Sequence, residues 1–260
     1  NIHIICLRSG RVMAKKMKNA DDFIHHLYVH MNDVDQFVIY SGLSFKQFFL
    51  SAEPIKNILL LKHTYEDGSF NMHTQFDFVT TEDMTDFVKQ LPDLKGDLCW
   101  MDFSSEKNVN QLSPLEQAEL LYFGHKREPL SSSFFGKLQN RYAYYASPSD
   151  TMTKVYFRFL GDNELLITNL FNKMIREKEG TGSFWRRKSK HTIPVIDPIV
   201  LRSCRHFVKE GALLSLFKME KSSQYGIEIR TLSDYNFPDE VWIDLHDILK
   251  QNYDELIQIS

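Results

Sequence analysis

The sequence predicts an α+β protein with mostly antiparallel sheets. Strand-like segments come in pairs across tight-turn signals, and a capped amphipathic helix usually follows each pair. Such strand-turn-strand-helix units begin near residues 2, 57, 141 and 212. They share no residue-level identity and their spacing is uneven, so they rhyme in structure without being a sequence repeat. Each hairpin can lay one face against its helix, which favours antiparallel sheets. Composition agrees: 43% hydrophobic and 25% charged residues are globular values.

Ile2–Leu7 and Arg11–Met17 flank Ser9-Gly10 and predict a hairpin. Asn19 then caps an expected helix from Ala20 to Met31. Its stripe is Phe23, Leu27 and Met31, and Asp21 and Asp22 suit its positive N-terminal end. Gln36–Tyr40 is a short strand, and Ser44–Ser51 a Phe-rich helix. Asn57–Tyr65 and Phe70–Thr80 flank Asp67-Gly68, whose type I′ turn preference predicts a hairpin. Thr81 is expected to cap a helix with stripe Met84, Phe87, Val88 and Leu91, stopped by Pro92. Asp97–Phe103 is a strand. Ser113-Pro114-Leu115-Glu116 is a capping box with proline at the first helical position, opening a helix to about Phe123.

In the second half, Arg141–Ala146 and Thr151–Leu160 form a hairpin across Ser147–Asp150. Asp162 is expected to cap a helix with stripe Leu166, Leu170 and Met174, ended by Gly180. Asp197-Pro198 opens a helix through Lys209, with Leu201, Cys204, Phe207 and Val208 inward and Gly211 closing it. Ala212–Glu220 and Tyr225–Thr231 form a hairpin, followed by a helix near Asp239–Lys250 and a strand at Glu255–Ile259.

Pro129 and Ser131-Ser132-Ser133 interrupt the pattern, which places a domain boundary in Glu128–Lys137. Two domains are expected, residues 1–130 and 131–260. The first holds 13 basic and 18 acidic residues, net −5; the second holds 18 and 16, net +2. No apolar run approaches the roughly 20 residues that span a bilayer. Cys6, Cys99 and Cys204 are odd in number and scattered, which favours a reducing, cytoplasmic location.

Constellations that carry chemistry are sparse. His26 and His30 at i, i+4 on a helix would share a metal, but a third ligand is missing. His63 and His73 would face opposite sides of their hairpin. No nucleophile elbow and no glycine-rich phosphate loop occurs. Asp97 and Asp102 bracket an apolar strand, where most carboxylates only solvate the ends. No cofactor is expected.

The most uneven feature is residues 173–190. Lys173, Arg176, Lys178, Arg186, Arg187, Lys188 and Lys190 face only Glu177 and Glu179, a local net of +5. Phe184 and Trp185 stand beside the two arginines, a pairing that stacks on bases and neutralises phosphates. Alternation places Lys154, Tyr156 and Arg158 on one strand face, which is expected to form a second platform. The leading expectation is a soluble, non-enzymatic protein that binds a protein partner. The alternatives are nucleic-acid binding through 173–190 and a metal-dependent enzyme built on His26 and His30.

Overall fold

A computed structural model describes residues 2–6, 23–62, 76–90, 98–147, 152–180, 193–218 and 225–231. In chain order the elements are β1 (Ile2–Cys6), β2 (Phe23–Asn32), β3 (Phe37–Ser41), α1 (Phe45–Ser51), β4 (Asn57–Lys62), β5 (Asp77–Val79) and α2 (Met84–Gln90). Then come β6 (Leu98–Phe103), α3 (Glu106–Val109), α4 (Pro114–Lys126), β7 (Tyr142–Ser147), β8 (Met152–Phe157) and α5 (Gly161–Gly180). The last described elements are α6 (Pro198–Ser203), α7 (Arg205–Glu210), β9 (Ala212–Lys218) and β10 (Tyr225–Thr231). The protein is α+β, and every described strand pair but one is antiparallel. The chain gathers into two compact units: residues up to Met31 with those from Glu164 on, and Asn32–Asn163.

The contiguous unit orders its strands β3-β8-β7-β6-β4-β5. Cross-strand register puts Trp100 opposite Tyr144 on one face and Met101 opposite Ala143 on the other. Helix α1 covers the first face. Phe45 and Phe48 pack edge-on or tilted against Trp100 and Tyr144, and Phe48 also meets Tyr142. A capping box starts this helix: the Gln47 N–H donates to the Ser44 hydroxyl, and the Ser44 N–H to the Gln47 side chain.

Helix α4 serves the second face, where Leu120 and Phe123 join Leu59, Leu61, Cys99, Met101 and Tyr145 in one apolar cluster. The expected capping box is present: the Glu116 N–H donates to the Ser113 hydroxyl at 3.3 Å, and the Ser113 N–H donates back at 2.7 Å. The helix runs one turn beyond Phe123 because Arg127 takes the left-handed conformation and closes it. Gly124 lets α4 approach the backbone of β4; a Cβ there would stand 2.9 Å from the Leu61 carbonyl oxygen.

The segment Glu128–Lys137 lies inside this unit. Phe135 and Leu138 are core residues, and Asn140 ties the loop by accepting from the Phe135 N–H and donating to the Ser133 and Tyr142 carbonyls. Thr81 does not cap α2. Its hydroxyl donates to the Lys56 carbonyl, and the helix starts at Met84. β4 and β5 pair Ile58 with Val79, two residues from the register of a two-residue Asp67-Gly68 turn. An even offset keeps every side chain on its face.

The second unit orders its strands β1-β10-β9-β2. β1 pairs in parallel with β10; its expected partner Arg11–Met17 lies outside the described residues. The expected helix Ala20–Met31 is corrected: Phe23–Asn32 is a strand that pairs antiparallel with β9. Its burial alternates strictly, with His25, Leu27, Val29 and Met31 inward. The spacing Phe23, Leu27, Met31 fits a helix period and also a strand period of two, since four is even. Val29 decides between them, because in a helix it would point away from Leu27. The β-branched and aromatic content of the segment favours the same answer.

The buried sheet face carries Leu27, Leu214, Leu216, Ile227 and Ile229. Glu164 is a buried carboxylate clamped by Arg202 at 3.3 Å and Arg205 at 2.5 Å, tying α5 to α6 and α7. At the other end of α5, Glu179 accepts from Lys218 at 2.6 Å and from the Tyr225 hydroxyl at 2.5 Å, fixing the helix to the β9–β10 hairpin. Asp162, expected as a cap, is instead the second residue of α5 and pairs with Arg141 at 2.8 Å. The helix expected over Asp197–Lys209 breaks at Cys204 into α6 and α7. The expected helix near Asp239–Lys250 and strand Glu255–Ile259 lie outside the described residues.

Candidate functional site

Of the basic segment, Lys173 and Arg176 lie on α5, while Trp185, Arg186, Arg187, Lys188 and Lys190 fall outside the described residues. Among the described residues, neither Lys173 nor Arg176 has an ion-pair or side-chain hydrogen-bond partner. Asn172 stands beside them and is buried. Its side-chain amide donates to the Ile196 carbonyl at 3.0 Å and accepts the Ile196 N–H at 2.7 Å. One amide thus satisfies both polar groups of one residue, as a neighbouring strand would.

The segment so held is Ile193-Pro194-Val195-Ile196-Asp197, a strap between α5 and α6. A residue before proline is pushed toward extended backbone, and Ile193 and Asp197 both precede one. Asp197 has φ −82 and ψ 137, and its carboxylate caps α6 by accepting the Ile199 N–H. Ile196 points inward and is buried. Ile193, Val195 and Ile199 point out and are 41%, 58% and 65% exposed. The signal for this feature was the pair of X-Pro steps around Val195-Ile196. The second of them, Asp197-Pro198, is also the start of α6.

The β8 row behaves otherwise. Tyr156 is 3% exposed, its ring packed edge-on against Phe37 and Phe123. The Lys154 ammonium lies 4.2 Å from the Phe37 ring centre and 4.8 Å from that of Tyr156. Burial lowers the Lys154 pKa, against the pull of the Glu128 and Asp35 carboxylates. Arg158 donates to the Asn140 carbonyl at 2.7 Å and covers the Phe134 ring. Both cations are spent on the protein's own rings and carbonyls. No face of Tyr156 is open for a base to stack on.

The histidines change meaning with their element. On a strand, residues four apart share a face but stand about 13 Å apart, too far for one metal. No group of three His, Cys, Asp or Glu side chains suited to a metal occurs among the described residues. His26 shares a 2.7 Å hydrogen bond with Ser215 on β9. Burial, aided by the Arg230 charge, pushes its pKa down to about 4. The imidazole is therefore neutral at pH 7.

Asp102 is also buried. It accepts from the Arg141 N–H at 2.9 Å and the Tyr142 N–H at 2.7 Å. Burial still outweighs these bonds and raises its pKa to about 6. The carboxylate joins β6 to β7 by filling backbone donors, which is structural work. Asp97 lies outside the described residues. Cys99 and Cys204 are buried.

No protein-family profile, curated protein or solved structure matches this chain. No described helix is long and apolar enough to cross a membrane.

Proposed function

We propose that this chain is a non-enzymatic protein-binding module that presents the 193–199 strap, with the neighbouring basic residues of α5, to a partner. The observation that carries this reading is the outward display of Ile193, Val195 and Ile199 on a backbone that Asn172 holds by two hydrogen bonds at Ile196. Three exposed aliphatic side chains on one short segment are a concentrated apolar surface. Covering each would contribute on the order of 1 kcal/mol. A pre-ordered segment also loses less entropy on association than a mobile loop. The basic run Arg186-Arg187-Lys188 precedes the strap in sequence and would steer an acidic partner. The scattered cysteines favour a cytoplasmic setting.

The test exchanges Ile193, Val195 and Ile199 for serine. The triple variant is expected to keep its urea midpoint within experimental error, since the side chains are exposed, and to lose partners recovered by cross-linking in native extract. Arg186→Ala, Arg187→Ala and Lys188→Ala together should weaken the same capture. Unchanged recovery of the same partners by the triple variant would overturn the reading.

Nucleic-acid binding through residues 173–190 is the second reading, favoured by the local net of +5. It requires retardation of a labelled oligonucleotide at about 50 mM salt that falls tenfold or more by about 200 mM. Absence of a shift at low salt removes it.

A further inference from the structure

We infer that the strap's partner is an extended acidic segment with apolar side chains at alternate positions, laid along Val195 as an added strand. This rests on the strap being the contact surface.

Extended residues send their N–H and C=O groups to alternate sides. Ile196 turns its pair toward Asn172, so Val195 turns its own pair the other way. Neither group of Val195 bonds to any other described residue. Pro194 has no N–H and offers no competing donor. An extended peptide would complete one hydrogen-bonded pair with Val195, the pairing used when a partner adds a strand to an open edge. Its alternate side chains would meet the exposed Ile193 and Val195. Ile199, one helical turn into α6, would close the apolar contact.

Charge sets the rest of the partner's composition. Arg176 is one helical turn from Asn172 on the same face of α5, and Lys173 is the residue beside it. Neither has an ion pair with a described residue, which leaves both to a partner's carboxylates. The described charges from the strap to the start of α7 are Asp197, Arg202 and Arg205. Asp197 caps α6, and Arg202 and Arg205 are held by Glu164. The Asp197 carboxylate keeps its charge, so the balance with Lys173 and Arg176 is one net positive, and the complementary peptide is acidic.

The probe is a fluorescein-labelled heptapeptide, Glu-Val-Glu-Ile-Glu-Val-Glu, titrated onto the full chain, with the lysine-for-glutamate peptide alongside. The Glu peptide is expected to bind at least tenfold more tightly than the Lys peptide. Lys173→Glu with Arg176→Glu should weaken it about tenfold or more, and the milder Lys173→Gln with Arg176→Gln severalfold. Val195→Pro keeps an apolar side chain but removes the open N–H, and should cost severalfold. Equal binding of both peptides, no binding of either, or an affinity untouched by charge reversal overturns the inference. Its failure is separable from that of the protein-binding reading. If the serine triple variant loses its cross-linked partners while charge reversal has no effect, the surface stands and the acidic strand falls. If the triple variant keeps its partners, both fall.

Discussion

His26 makes the stability of its unit sensitive to mild acid. The side chain sits on β2 against Ser215, with the Phe23 ring beside it and the Arg230 charge acting on it. Its folded pKa is about 4, against 6.5 in the unfolded chain. Below pH 6.5 the unfolded state takes up a proton that the folded state refuses. Stability is therefore complete above about pH 6.5, falls as pH drops toward 4, and levels off below that. One pH unit within this window is worth about 1.4 kcal/mol. At pH 5 the loss is about 2 kcal/mol. His26→Gln keeps an amide that can bond Ser215 and removes the titration. Urea unfolding at pH 7.5 and pH 5.0 measures the effect in both proteins. The wild type should lose about 2 kcal/mol more than the variant between those two values. Asp102 works in the opposite sense: its folded pKa, about 6, lies above 3.8, so its carboxyl favours the folded state as pH falls through 6. Because His26→Gln leaves Asp102 intact, comparing wild type with variant isolates the histidine. Parallel pH profiles for the two would refute the reasoning.

Four further outcomes follow from the packing. Asp102→Asn should flatten the opposing pH dependence between about 4 and 6, read by the same urea titration. Gly124→Ala gains about 1 kcal/mol of helix propensity but pushes a methyl to 2.9 Å from the Leu61 carbonyl oxygen, so a net loss of about 1–2 kcal/mol is expected in thermal unfolding. Ser113→Ala removes the cap of α4 and should cost about 1 kcal/mol by the same measurement. Asn172→Leu strands the buried N–H and C=O of Ile196, which should cost about 2–3 kcal/mol and speed proteolysis between Ile193 and Asp197.

Much of the fold was legible where a local device specifies one outcome. The Ser113–Glu116 capping box, Asp197-Pro198 and the β7–β8 hairpin each rest on chemistry within a few residues. Phe23–Asn32 was not legible from its stripe alone, because positions four apart satisfy both periods. Val29 held the missing information. The candidate metal pair fell with the helix that would have brought it together. Lys154 and Arg158 looked like a free cationic row because sequence gives alternation but not what covers a face. Here the cover is Phe37, Phe134 and the loop around Asn140. The Asn172 clamp was invisible for another reason: it joins residues 24 positions apart through a side chain that carries no motif.

The parallel pairing of β1 with β10 has a consequence for how the chain acquires its structure. Ile2 lies opposite Tyr225, and β2 pairs with β9, so one unit draws its sheet from both ends of the described sequence. The other is continuous from Asn32 to Asn163. Contacts between distant residues carry a loop-closure cost and slow folding. During synthesis the continuous unit has all its strands before β9 and β10 exist, while the β1–β10 and β2–β9 pairings must wait for them. Collapse of the intervening residues shortens the effective loop that this pairing has to close. Folding therefore has a direction, from the middle of the chain outward, and amides of β6 and β7 should gain exchange protection before those of β2 and β9.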